Sequence, residues 1–330
     1  MPRIDRWSRR FVATSAVFLV AWQVSAVMEL SSQTRITLAL LGFVLHIVFG
    51  KAYTLIPSYF SCELSFESAP AVHLPLSVSG TLLLAYESSN LPTRPAGAVL
   101  WFTGVVVFSS TLVWTLRDNI TGRETGTSDA NQHRKKVDRY ANLFMPFALV
   151  YLVAGSYELV AMNTVLPTVF DGYFPRAAHL LAAGTAALLV FSIGFRLLPH
   201  FLVTTPPRYS VLAVLPAGAV APALLATFLN DGTGFIAGAL LEATAVVGFA
   251  LVYLAMYLKS ERRRVGFYSI LAGVSSGVIA VAFGLYFAFA GLRGNLAVAH
   301  ARLNLLGFLG LTIMGVAYQF YPPRVGSFRG

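Results

Sequence analysis

Four ionisable side chains sit where an apolar chain has little reason to carry them: Arg35, His179, His300 and Arg302. An imidazole can ligate a metal or hydrogen-bond a nearby carbonyl, and a guanidinium can hold an anion through two parallel N–H donors. Three of the four head a repeated skeleton. Arg35…Gly50…Pro57, His179…Gly194…Pro199 and His300…Gly315…Pro322 each place a polar or basic residue 15 positions before a glycine inside an apolar run. At ~1.5 Å per residue this is roughly 22 Å of helix, most of a hydrocarbon core ~30 Å thick. Each repeat therefore sets its head residue at the same depth near one face. Ionisable groups are costly in lipid and usually turn toward a bundle interior.

Each candidate has a plainer role beside the chemical one. His300 either ligates a metal centre or hydrogen-bonds a carbonyl near the outer interface, and His179 can be a distal ligand opposite it or part of a metal site with it. Arg35 and Arg302 either bind an anionic ligand or pair with Glu29, Glu158 or Glu242, which the topology places toward the same outer half. Ion pairing is the favoured role for the arginines, because a buried charge without a counter-charge destabilises a fold. His46 and Lys51 can belong to a proton path, although snorkelling of Lys51 to the interface suffices. Surface or interfacial roles suffice for His73, His133 and His200.

These residues need elements to position them, and composition says which. The chain has 330 residues, 56% hydrophobic and 12% charged, with mean hydropathy +0.69. Such a chain is an all-α polytopic membrane protein. Hydropathy over a window of about 19 residues gives ten candidate spans. Their limits are 10–30, 35–58, 70–88, 95–116, 140–163, 176–203, 208–229, 233–258, 265–290 and 299–322. No cleavable leader is evident, and the first run reads as an uncleaved helix. With the skeleton on the second, sixth and tenth spans, the repeat unit is four helices. The units are 1–116, 140–258 and an incomplete 265–330, expected to form a single pseudo-threefold bundle. The polar stretch 117–139 is expected to be a flexible cytoplasmic linker.

Basic residues orient the bundle. Arg3, Arg6, Arg9 and Arg10, the 117–139 loop, and Lys259 with Arg262, Arg263 and Arg264 all fall on one side of a ten-span topology. That side is expected to be cytoplasmic, with both termini on it. The net charge of +10 thus belongs to short juxtamembrane loops that contact anionic lipid, and nucleic acid is not an expected partner. The single Cys62 excludes an intrachain disulfide and a thiolate metal cluster.

The tenth span reads His300-Ala-Arg302-Leu-Asn-Leu-Leu-Gly307-Phe-Leu-Gly310-Leu-Thr-Ile-Met-Gly315-Val-Ala-Tyr318-Gln-Phe-Tyr-Pro322. It resembles the tenth helix of the catalytic subunit of haem-copper oxidases and nitric oxide reductases, most closely the cbb-type oxidases. That helix carries a His-x-His head followed by the same Gly, Gly, Gly, Tyr, Pro spacing. In the family the first His ligates the high-spin haem and the second the low-spin haem. His300 matches the first. Arg302 stands at the second, and Arg does not ligate iron. Positions 300 and 302 lie ~200° apart on a helix, which predicts opposite faces. In the second span the family's other low-spin ligand precedes a glycine by seven residues, where this chain has Arg35 before Gly42. In the sixth span His179 lines up with the family's first copper ligand. The His-His pair that completes the copper site has no counterpart in 209–230.

The resemblance implies a degenerate, shortened relative of that subunit. It implies one haem at most, held by His300, by His179 or by both, with Arg35 and Arg302 available to its propionates. Copper is not expected, nor is full oxygen or nitric oxide reductase activity. The implied role is redox, gas-responsive or accessory, in respiratory or nitrogen-oxide metabolism at the plasma membrane, beside other respiratory subunits or a small electron carrier. The alternative is a cofactor-free transport or structural protein that uses Arg35, Arg302 and the buried carboxylates.

Overall fold

A computed structural model describes residues 3–86 and 92–321. The chain is an all-α, multi-pass membrane protein. Nine helical segments are long and apolar enough to cross a membrane, counted among the described residues; one of them, 129–161, joins a 3-10 turn and two α-helices end to end. A tenth apolar helix, Ala69–Ala85, has 17 residues, at the short end of what spans hydrocarbon. Helices are what such a sequence must form, because lipid offers no partner to an unpaired peptide group.

In chain order the helices are α1 (Arg3–Val27), α2 (Ser32–Tyr59), α3 (Ala69–Ala85), α4 (Thr93–Leu116), α5 (Lys135–Asn142), α6 (Met145–Ala161), α7 (Phe174–Leu202), α8 (Arg208–Thr227), α9 (Gly232–Lys259), α10 (Val265–Ala290) and α11 (Gly294–Phe320). All ten expected spans coincide with helices; Pro322, the last residue of the third skeleton, lies outside the described residues. Local chemistry sets the ends. Ser31 caps α2 by accepting from the Thr34 amide at 3.2 Å. Val203 ends α7 in the left-handed conformation (φ 54°, ψ 43°), and Pro206 and Pro207 prevent its continuation.

The three skeleton helices share a backbone feature that the spacing alone did not reveal. Each contains a π-helical stretch just past its head residue: Leu38–Leu45 in α2, Leu180–Ala187 in α7 and Leu303–Leu311 in α11. The wider turn frees carbonyls from the regular ladder, and side chains take them up. His46 Nδ1 donates to Leu41 O at 2.8 Å, and Thr185 Oγ1 to Leu180 O at 3.2 Å. Such turns are rare in helices and concentrate at functional sites.

Two skeleton glycines are where backbones meet. A Cβ on Gly50 would lie 2.6 Å from Phe11 Cβ and 2.9 Å from Ser8 O of α1, and one on Gly315 would lie 2.5 Å from Gly266 O of α10. Small residues at such crossings are the usual device of membrane bundles. In the first four-helix unit the centre is aromatic. Phe49 sits 4.6 Å from the His73 ring and 4.7 Å from Phe108, centroid to centroid, with Phe11 and Trp101 around them.

Contacts define a basic end. Arg9 lies over the Tyr321 ring, Lys51 Nζ donates to Tyr321 Oη at 2.8 Å, and Arg264 donates to Gln319 Oε1 at 3.1 Å. The N-terminus of α1, the C-termini of α2, α9 and α11, and the start of α10 therefore share one end. The heads of α2, α7 and α11 sit toward the other.

The stretch 117–139 is not the flexible linker expected from its polarity. Its last part forms a 3-10 turn, Asp129–Arg134, and then α5. Arg134 and Asp138 within it are buried at 6% and 3% exposure. Thr127 Oγ1 donates to Asp138 Oδ2 at 2.7 Å, and Asn119 Nδ2 donates to Phe60 O at 2.8 Å. Polar composition predicts a loop only while its charges have solvent as their best partner, and here they have the bundle.

Candidate functional site

Helices α2, α7 and α11 converge with α8, α9 and α10 around a cavity of about 380 Å³. Arg35, His179, His300 and Arg302 all line it. Its volume falls within the roughly 300–1,000 Å³ typical of sites for organic ligands. The walls are mainly apolar, with Leu229 after α8, Phe235 on α9, Phe287 on α10 and Phe308 on α11. The polar groups are few and come from separate helices, as in built ligand sites.

Each histidine is oriented through its backbone-facing nitrogen. His179 Nδ1 meets Pro175 O at 2.7 Å, and His300 Nδ1 meets Ala280 O at 2.8 Å. A carbonyl only accepts, so Nδ1 carries the proton in both rings and Nε2 is the unprotonated nitrogen, able to accept. Histidines that bind metals are usually fixed in this way. Phe287 packs edge-on against the His300 ring at 5.7 Å. Asn304, one turn along α11, donates through Nδ2 to His300 Nε2 at 3.2 Å and to His300 O at 3.0 Å.

The arginines frame the opening. Arg35 is half-buried at the head of α2, and Arg302 is exposed near the head of α11. Expected on opposite faces of α11, Arg302 and His300 both line the cavity. The cavity extends around the helix far enough to reach both. The favoured pairing with Glu29, Glu158 or Glu242 does not occur: no ion pair or side-chain hydrogen bond engages Arg35 or Arg302 among the described residues. Glu158 has another task. Its carboxylate accepts from the Val169 and Phe170 amides at 2.8 and 3.4 Å and pins the loop before α7. Glu29 is exposed. Glu242 lines the cavity, and its Oε2 is buried without a hydrogen-bond partner among the described residues.

The rim is tied down by Asp171, whose Oδ1 accepts from the Tyr173 amide and from Arg176 Nε, both at 3.0 Å. The Tyr173 amide, aided by the Arg176 charge, holds the Asp171 carboxyl below the usual range. Arg176 also donates to the Ala226 and Thr227 carbonyls that close α8. Tyr173 and Pro175 are thereby fixed at the cavity edge.

Two further buried polar groups escaped the sequence reading. His73, expected at an interface, is fully buried; its Nδ1 meets Tyr53 Oη at 3.2 Å, and its Nε2 has no hydrogen-bond partner among the described residues. Helix α3 starts early enough to carry it under Phe11, Phe49 and Phe108. Arg196 of α7, 7% exposed, donates to Asn142 Oδ1 at 2.8 Å, to Tyr59 O at 3.2 Å and to Thr125 O at 2.6 Å. It also lies over the Tyr59 ring, 4.0 Å from Asp138 Oδ2. An arginine inside the apolar run Phe-Ser-Ile-Gly-Phe-Arg-Leu-Leu was the available signal. For Asn304 the signal was its place four residues after His300. His133 and His200 are exposed, and Lys51 stacks on Phe320 and Tyr321 at the basic end.

Among the described residues no three His, Cys, Asp or Glu side chains group as a metal site. The chain matches no protein-family model and no curated protein.

Proposed function

We propose that the chain is a haem-binding membrane protein, with the haem in the cavity between α2, α7 and α11. The observation that carries this reading is the meeting of four residues from three repeats on one apolar-walled cavity. Two of them are histidines anchored through Nδ1, which leaves Nε2 unprotonated in each. The other two are arginines with no carboxylate partner among the described residues. Haem needs an imidazole at the iron, an apolar slot for the macrocycle and cations for two propionates, and the lining offers each. His179 and His300 would serve the iron; Arg35 and Arg302 would hold the propionates at the opening by charge-assisted hydrogen bonds. Bound haem would supply one-electron chemistry or, with one axial position open, a site for a small gas.

On this reading the protein is a diverged relative of the haem-copper oxidase catalytic subunit. Its role is redox, gas-responsive or accessory, in respiratory or nitrogen-oxide metabolism at the plasma membrane. The basic end faces the cytoplasm with both termini, and other respiratory subunits or a small electron carrier are its partners.

The test is haem titration of detergent-purified protein. The double variant Arg35→Ala/Arg302→Ala should weaken binding by about a hundredfold or more, since charge-assisted bonds contribute roughly 1.5–3 kcal/mol each. Gly284→Leu should block binding. Gly284 lines the cavity, and only His300 Cε1, at 3.6 Å, lies near a Cβ built there. Unchanged binding in both variants would place any haem elsewhere.

A second reading rests on Glu242. Its Oε2 is buried with no hydrogen-bond partner among the described residues, in a cavity framed by two arginines that pair with no carboxylate among them, and this lining also suits a cofactor-free anion carrier. A protein that stays colourless with ample haem, yet loses anion flux in the arginine variant, would favour it.

A further inference from the structure

The two cavity histidines are not equivalent, and the difference lies in Nε2. His179 Nε2 has no hydrogen-bond partner among the described residues, and His179 lines the cavity. His300 Nε2 is engaged by Asn304. The amide orientation of Asn304 follows from its second contact. His300 O, at 3.0 Å, only accepts, so the group facing it is the NH₂, and the same NH₂ donates to Nε2. The π-helical turn begins at Leu303 and carries Asn304. His300 is thus held at Nδ1 by Ala280 O and at Nε2 by Asn304, with no bare nitrogen left.

Resting on the haem reading above, we infer that His179 is the coordinating histidine and that His300 with Asn304 forms a hydrogen-bonding pair beside the haem. The assignment inverts the roles that the resemblance to the oxidases implies. With His179 alone at the iron, bound haem would have room for one further ligand, so the chemical class of ligand the site would take is a diatomic gas, carbon monoxide or nitric oxide among the available probes. His300 and Asn304 are positioning residues: they shape the polarity of the cavity without holding the iron.

The experiment compares wild type, His179→Ala, His300→Ala and Asn304→Leu, each purified in detergent after expression with ample haem. It reads haem per chain, the ferrous spectrum, and the carbon monoxide difference spectrum. The expected result is a wild type with high-spin ferrous haem that binds carbon monoxide. His179→Ala should lose haem, with imidazole in the buffer restoring it. His300→Ala and Asn304→Leu should keep haem but shift the carbon monoxide band. Loss of haem in His300→Ala with retention in His179→Ala overturns the assignment and leaves the haem reading standing. A low-spin wild type that resists carbon monoxide does the same, because both histidines would then be axial. A wild type without haem overturns both. Circular dichroism of each variant separates loss of haem from loss of fold.

Discussion

The bundle contains two groups of arginines, and they are treated in opposite ways. At the basic end Arg196 and Arg134 are buried and surrounded. Arg196 reaches Asn142, Tyr59 and Thr125, Arg134 donates to Arg196 O at 2.8 Å, and Asp138 lies 3.7 and 4.0 Å from the two guanidinium groups. In the other half Arg35 and Arg302 line a cavity and engage no carboxylate among the described residues. A buried guanidinium with most donors used is a structural tie. One beside a void with its donors unspent is available to a ligand. The comparison separates scaffold from site more sharply than burial does, because the site arginines are the more exposed pair.

The largest effect should come from breaking the scaffold group. Asp138→Asn leaves Arg134 and Arg196 without a counter-charge, and losing one partner of a buried charge group costs roughly 3–5 kcal/mol. Thermal unfolding in detergent should show a large drop; a variant as stable as wild type would erase the contrast. Next comes Gly50→Val, whose side chain meets Phe11 Cβ and Ser8 O. Overpacking should cost about 1–3 kcal/mol on the same assay. Arg35→Ala and Arg302→Ala should each change stability by only about 0.5 kcal/mol. A larger loss would mean that these arginines, too, hold the fold.

The smallest effect concerns the rim. The Asp171 carboxyl is held below its ordinary value, chiefly by the Tyr173 amide. Its contribution is present above the unfolded carboxyl pKa of about 3.9 and is lost as pH falls through the lower folded value. Asp171→Asn should therefore raise proteolytic nicking of the 162–173 loop at neutral pH. Once the pH has fallen below the lowered folded value, variant and wild type should behave alike, because both then lack the charge. A gap that persists in acid would put the effect elsewhere.

Much of the fold was legible because lipid forces a simple code. Apolar runs of suitable length become helices, and α2, α7 and α11 could be matched by a fixed 15-residue spacing. That Arg35, His179, His300 and Arg302 would turn toward the bundle interior was legible for the same reason: each is a polar group in a segment that excludes polar groups. Two kinds of information were not legible. Pairing across the bundle was one. Arg196 finds Asn142 and Thr125 at separations of 54 and 71 positions, and no local pattern announces such partners. The polar stretch 117–139 looked free for that reason. Fine backbone geometry was the other. The π turns have no distinctive composition, and Asn304 is an ordinary residue until its amide is seen on His300 Nε2. His73 was misplaced because hydropathy marks where an apolar run begins and says nothing of which neighbours cover its first turn.

The most direct measurement is a pyridine haemochrome assay on the purified wild-type chain, expressed with ample haem. About one haem per chain is expected, held in the cavity that His179 and His300 line. A folded, colourless protein that also takes up no added haem would contradict it, leaving the arginine-framed cavity to an anion.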